Sequence, residues 1–534
     1  MIRKKVVALL LVTVFATVFV AGCGKNDSKT SDGKVVRWGA SEPDTLDPRK
    51  MTADVDYVIG GQLFEGLTLM DEKAQCNPAA AEKWEVSPDG LVWKFFLRSD
   101  AKWSNGDPVT AQDFEYAWKT ALSPELASEY AFQLYYIKNG ENYNKGKCKA
   151  DDVGVKALDD KTLLVTLERP CAYFLSLTST WTYYPVHKKT VEANPKWAAA
   201  PESIICNGPF VLTVWKHNGS MEMVKNSQYW DAGNVTMNKL EVVLLDNGTT
   251  ASSMLDSGQI DITNLMNMND IPRLQQAGKL RQYPSLGTYY LPFNTKKAPF
   301  DNPKVRKAFM LAIDRDAICK TILKAGQIPA LGWVPYGMPD AKPGEEFRKV
   351  GGEYYKDNDI ETAKKLLAEA GYPAGRGLPP ITYLYNTGEA HKAIAEAIQE
   401  MWKKNLGVDI KLANQEWKVY LNSMRQLDFQ VCRYGWFADY VDPMTFIDVF
   451  QSDNGNNYTG WKNEKYDDLV NQAKKTNDQV VRMKLMHEAE NMLMDEAVMV
   501  PLYQYRGTWA VKPNLKGFVR TPLATIQFKG AYFE

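Results

Sequence analysis

One carboxylate in this 534-residue chain stands among large rings: Asp439 lies in the run Trp436, Phe437, Ala438, Asp439, Tyr440. Taking a charged carboxyl out of water is costly unless a cation meets it, so the position points to a bound positive group. Two further ring clusters fall in segments that read as loops, at 414–417 (NQEW) and 288–290 (TYY). Tyrosine and tryptophan join an apolar body to a polar tip, which suits a pocket that holds its ligand by adaptable contacts. The chain carries 15 Trp, 27 Tyr and 20 Phe, and most of these rings belong to the core of a body this large.

Covalent chemistry has no foothold among the motifs. No GxSxG elbow, HExxH pair or Walker-type phosphate loop is present. The histidines His187, His217, His391 and His487 have no i, i+4 partner, which argues against a histidine metal cluster, and no cofactor is expected. Paired carboxylates carry no information here, because 64 acids always supply some pair. Six cysteines follow residue 23 without CxxC spacing; most are expected to be buried thiols, with pairing among Cys76, Cys148, Cys171 and Cys206 left open. Lys+Arg and Asp+Glu both number 64, so no net charge drives the chain toward nucleic acid.

The elements that must position the aromatic clusters read as a mixture of strands and helices without a fixed repeat, hence α/β. Residues 91–98 alternate Leu91, Trp93, Phe95 and Leu97 against polar neighbours, the period of a strand. Thr110 with Asp113 then opens a helix carrying Phe114, Ala117 and Trp118 on one side. Asn302 and Pro303 start another, and Asn358 with Glu361 a third that Gly371 closes. A helix over about 390–405 ends at Gly407 before a strand at 408–412, and a last helix near 480–494 leads into a strand over 498–505.

The N-terminus has its own logic. Arg3, Lys4 and Lys5 precede an apolar run from Val6 to Val20, which is shorter than the 20 or so residues a spanning helix needs. Residues 1–22 therefore read as a signal peptide. Val20, Ala21, Gly22 and Cys23 resemble the bacterial lipoprotein box, which implies cleavage before Cys23 and acylation of its sulfur. Two acyl chains suffice for a stable anchor, and the polar stretch to residue 35 makes a flexible tether.

Longer segments resemble the family 5 extracellular solute-binding proteins: 80–118 (AAEKWEVSPDGLVWKFFLRSDAKWSNGDPVTAQDFEYAW), 288–315 (TYYLPFNTKKAPFDNPKVRKAFMLAIDR), 363–373 (AKKLLAEAGYP), 385–392 (YNTGEAHK) and 402–408 (WKKNLGV). The stretch 433–443 (RYGWFADYVDP) is most similar to the oligopeptide-binding members. The resemblance implies a three-lobed periplasmic-binding-protein-like α/β fold. Domain I would comprise 36–64, 187–226 and 507–534, domain II 65–186 and domain III 227–506, with two crossing strands as the hinge. It implies a monomeric receptor, not an enzyme, that captures short peptides and delivers them to the permease of an ATP-driven ABC importer. The alternative within the family is a receptor for murein tripeptides.

Carried over by position, the resemblance makes Asp439 the partner of the ligand's α-ammonium group and Trp436 a pocket wall. Tyr130, Tyr290, Trp417 and Tyr505 would line the pocket, while Arg433 and His391 would meet the ligand carboxylate. The backbone at Gly435 and Phe437 would pair with the peptide as an added strand. By residue type alone, the alternative readings are core rings for Tyr130 and Trp417, the partner of a neighbouring acid for Arg433, and a structural role for His391. Departures from the pattern are Gly287 and Phe437 in place of a cysteine pair, Thr52 and Pro292 in place of acids, and Met424 with Arg425 in place of an Arg-His pair. They imply a pocket with less negative charge, in which Arg425 would suit the extra carboxylates of a murein peptide.

Overall fold

The computed structural model describes residues 34–534; the signal peptide, Cys23 and all but the end of the tether lie outside the described residues. No described helix is long and apolar enough to cross a membrane. Strand Val35–Ala40 pairs in parallel with Lys239–Leu244 on one side and Ile262–Thr263 on the other. The antiparallel strands Ser220–Lys225 and Phe210–Lys216 extend the sheet beyond Lys239–Leu244. On the opposite side two 13-residue strands, Leu280–Pro292 and Met499–Val511, run antiparallel and carry the sheet to its terminal strand, Tyr434–Phe437. One nine-stranded sheet thus joins the first and third lobes. The boundary expected at 226/227 falls within it. Lys239–Leu244 takes its hydrogen bonds from Val35–Ala40 and Ser220–Lys225 together, so the chain from 227 to the crossing strands packs with the first lobe.

The crossing strands are where a hinge was expected. Their ladder is interrupted between Pro284 and Thr288 and again between Tyr289 and Tyr290. Such irregularities bend a strand and raise its twist.

The second lobe is a four-stranded antiparallel sheet in the order Ala81–Val86, Val92–Leu97, Thr162–Thr166, Val155–Asp159. Trp93, Phe95 and Leu97 face inward as their alternation requires, the first two against Phe174, while helix Ala111–Leu122 packs on strands Val155–Asp159 and Thr162–Thr166 with Phe114, Ala117 and Trp118 buried. Asp113 accepts from the Thr110 backbone N–H at 2.9 Å, the capping contact read from the sequence.

In the third lobe, strands Thr382–Asn386, Lys411–Gln415 and Val431–Cys432 form a parallel sheet beside helix Glu389–Leu406, which ends on Gly407 at φ 72°. Val431–Cys432 runs straight into Tyr434–Phe437, so Arg433 occupies the junction between the parallel sheet and the edge of the large one. Helix Ile360–Glu369 is capped by Asp359, whose carboxylate accepts from the Thr362 backbone at 3.2 Å. The expected cap, Asn358, sits one residue earlier with φ 52°. The six described cysteines are free thiols, four of them buried.

Candidate functional site

The terminal strand Tyr434–Phe437 pairs on one side with the crossing strand, Tyr290↔Tyr434 through Gly287↔Phe437, and no strand among the described residues flanks its outer edge. An open edge offers backbone donors and acceptors to an added chain. Because strand residues alternate, the segment presents two different faces.

On one face Arg433 is 8 % exposed. Its Nη1 donates to Asn386 Oδ1 at 2.8 Å, and the guanidinium lies 4.9 Å from the centre of the Tyr289 ring. Its buried Nε has no partner, and no carboxylate among the described residues forms an ion pair with it. His391, in the first turn of its helix, approaches the Tyr289 hydroxyl with Nδ1 at 3.4 Å. Burial, and then the charge of Arg433, push its imidazole down to about 4, so it is neutral at pH 7. A Cβ on Gly435 would lie 2.5 Å from the Tyr505 hydroxyl, so the glycine is what lets that ring lie against the strand. Tyr505 also packs on Phe437, ring centres 4.5 Å apart.

Phe437 explains the missing cysteines. A Cβ on its register partner Gly287 would lie 2.5 Å from Phe437 Cδ1; the ring occupies the space above the glycine, and the two departures from the family pattern are one exchange.

The other face belongs to the core. Tyr290 is 1 % exposed and meets Trp333 and Phe450 edge-on, so it does not line the pocket as expected. Its neighbour Tyr289 is closed off as well, at 0 % exposed, and serves there as the ring on which the Arg433 guanidinium packs. Trp417, 45 % exposed, lies nearly parallel to Tyr434 at 6.5 Å. Arg425 is exposed in the last turn of helix Trp417–Arg425, while Met424 before it is buried. It lines neither cavity at Asp439. Pro292 is buried at the end of its strand.

Asp439 follows the strand, its backbone N–H donating to Thr445 Oγ1 at 3.1 Å. Burial, and then the neighbouring Asp448, push its carboxyl up to about 7, opposed by a hydrogen bond from Gln133. No cation among the described residues pairs with it. Two cavities open at this carboxyl. One is lined by Tyr130, Trp181, Tyr57, Asp54 and Phe437. The other, ≈ 780 Å³, is lined by Trp436, Gln133, Tyr136, Asp448 and Lys474 among others. Trp436 is held by its Nε1, which donates to the Thr445 carbonyl at 2.6 Å.

A family model described as bacterial extracellular solute-binding proteins, family 5 Middle, matches residues 75–458. The chain belongs to this family. It is 42% identical to the oligopeptide-binding protein OppA of Bacillus subtilis over 96% of this chain and 95% of that protein. It is 40% identical to the dipeptide-binding protein DppE of the same organism, covering 95% of this chain and 94% of that one. Among solved structures, the murein tripeptide binding protein MppA of Escherichia coli superposes with a TM-score of 0.79 at 35% identity, over 94% of this chain and 98% of that chain.

Within this family 5 protein, the structure gathers the expected residues into two groups. Asp439, Trp436 and Tyr130 meet at one end of the open edge, and Arg433, His391, Gly435, Phe437 and Tyr505 along the rest. Sequence reasoning missed Tyr289, Asn386, Tyr57, Trp181 and Asp54. Tyr289 and Asn386 sit inside segments already singled out, at 288–290 and 385–392. Nothing in the sequence marks Tyr57 and Trp181, which stack at 4.1 Å across 124 positions of chain.

Proposed function

We propose that this chain is an extracytoplasmic receptor, anchored by a lipid on Cys23, that captures short peptides as a monomer and hands them unaltered to the permease of an ABC importer. The observation that carries the reading is a pair of opposite charges without a counter-charge among the described residues, half-buried Asp439 and buried Arg433, at the two ends of an open strand edge. A peptide zwitterion supplies the cation, the anion and a backbone to lie along that edge. Six positions separate the two residues, at most about 20 Å of extended chain, which suits ligands of a few residues. Side chains of the ligand then point alternately toward the ring-lined walls, while the backbone contacts are common to every sequence.

The reading agrees with the relatives, which are an oligopeptide-binding and a dipeptide-binding protein. Calorimetry with Ala-Ala-Ala, its N-acetyl form and its C-terminal amide tests it. Each blocked peptide should bind at least about 100-fold more weakly than the free one, since each leaves a buried charge unpaired. Equal affinity for all three would refute the peptide reading. Mass spectrometry of co-purified ligand extends the test: mixed linear peptides support it, and a single tripeptide containing D-residues assigns the protein to murein peptides instead. Cys23→Ser should move the protein out of the membrane fraction without unfolding it.

A further inference from the structure

The cavity in front of Asp439 lies where the lobes meet, and it holds a second acid that the peptide reading does not use. Asp54 enters it from the first turn of helix Asp54–Leu63, which the chain counts with the first lobe, while Asp439 enters from the third. The Tyr57 hydroxyl donates to Asp54 Oδ1 at 2.9 Å and fixes the carboxylate. The walls between the two acids are aromatic. Tyr57 stacks on Trp181 at 4.1 Å with 7° between the rings, and Tyr130 leans on Trp181 at 5.7 Å. Both carboxylates act on the same phenol: burial first, then the charges of Asp439 and Asp54, hold the Tyr130 hydroxyl above its ordinary range.

A ligand α-ammonium group neutralises only one of these acids. We infer that Asp54 is a specificity-determining residue, and that with the Tyr57–Trp181 stack it receives the cationic side chain of a lysine or arginine at the first position of the bound peptide. The inference rests on the peptide reading of the same cleft. Its chemistry is that of a cation between a carboxylate and ring faces, both of which attract positive charge. The α-ammonium and the first side chain leave the same Cα, so one residue places one charge on Asp439 and the other toward Asp54.

The competing role for Asp54 is to neutralise Arg520: both line an adjoining cavity of ≈ 290 Å³ with Trp38 and Trp509, and the charge of Asp54 acts on that guanidinium. That guanidinium donates instead to the Thr525 carbonyl at 3.3 Å, and its Nε has no partner. Asp54 is exposed to the cleft rather than closed off in an ion pair. The charge that the sequence appeared to have lost at Thr52 is thus restored two residues later. Thr52 itself turns its backbone N–H to Asp56 at 3.2 Å, and the helix begins between the two.

Calorimetry on the full chain with Ala-Ala-Ala, Lys-Ala-Ala, Ala-Lys-Ala and a norleucine-Ala-Ala isostere tests the inference. Lys-Ala-Ala should bind about tenfold more tightly than the norleucine peptide, an advantage that shrinks with added salt. Ala-Lys-Ala should gain nothing over Ala-Ala-Ala. In Asp54→Asn the gap between the lysine and norleucine peptides should close. If Ala-Ala-Ala binds but lysine gives no advantage in the unmutated protein, the role of Asp54 is overturned while the peptide reading stands. If the gap persists in Asp54→Asn, another group carries it and the assignment is overturned. If no tripeptide binds, both readings fall together.

Discussion

Asp439 and Asp442 are three residues apart in one loop, and they have opposite fates. Asp442 accepts both Nη groups of Arg482, at 2.7 and 2.6 Å, and a backbone N–H from Met444 at 2.9 Å. Asp439 forms no ion pair among the described residues, and its carboxyl is pushed up to about 7. The arginines repeat the contrast. Arg348 grips Glu490 with two bonds of 2.6 and 2.8 Å, and Glu490 takes further donors from Trp333, Val334 and Tyr354. Arg433 has one amide and one ring. Evidently the fold is able to pair a buried charge within itself. Where it leaves opposite charges unpaired, at two ends of an open strand, the missing partners come with the ligand.

The comparison breaks most severely at the paired site. Glu490→Gln leaves Arg348 buried without a counter-charge, and the expected loss of stability is about 3–5 kcal/mol. Urea unfolding measures it. Peptide affinity of the folded fraction should stay within about twofold, because Glu490 is buried and lines neither cavity at Asp439. A loss below about 1 kcal/mol would mean that the internal pairs and the cleft charges do not differ in kind.

At the unpaired site the same kind of substitution should act in the opposite sense on stability. In the folded chain the Asp439 carboxyl titrates near 7 instead of near 4, so ionising it in the empty protein costs folding free energy. That cost is complete above about pH 7 and vanishes as the pH falls toward 4. Asp439→Asn removes it. At pH 8 the empty variant should therefore unfold later than the parent, by about 1–3 kcal/mol, while binding a free-amine peptide about 100-fold more weakly. The stability gap should narrow at pH 5. A variant less stable than the parent at pH 8 would show that Asp439 has an internal partner.

Much of the fold was legible because amphipathic period and caps are local. The strand at Val92–Leu97, the helix after Thr110 and the Gly407 stop all stand within a residue or two of their expected places. The boundary at 226/227 failed because strand partnership across hundreds of residues has no local signature. At the site, the carboxylate among rings was conspicuous from residue types alone, and family likeness added Arg433 and His391. Tyr290 failed because the crossing strand is covered on both faces at this point, where Tyr289 and Tyr290 are both buried. Asp54 was missed because attention went to the position that lost an acid rather than to the helix start that gained one. Tyr57 and Trp181 are brought together only by the packing of two lobes.

The mildest way to sharpen the comparison is pH, since it removes a charge without altering an atom of the core. The groups around the Asp439 carboxyl are Asp448, Gln133, Tyr130 and Asp54, with Lys474 and Arg169 in the same cavity; Lys474 pairs with Asp448 at 3.1 Å, and neither cation forms an ion pair with Asp439. A bound ammonium would hold Asp439 ionised, so binding below about pH 7 must first expel its proton. Affinity for Ala-Ala-Ala should accordingly fall as pH drops below 7, approaching tenfold per unit for one proton. Above about pH 8 it should fall again, because the free peptide amine loses its own proton near there. His391 does not contribute to the acidic limb, since its imidazole stays neutral down to about 4. The Asp439→Asn variant isolates the effect: its acidic limb should be flat while its alkaline limb remains. If the unmutated protein binds equally well at pH 5.5 and 7.5, the carboxyl is ionised throughout that range, and the contrast between Asp439 and Asp442 loses its electrostatic basis.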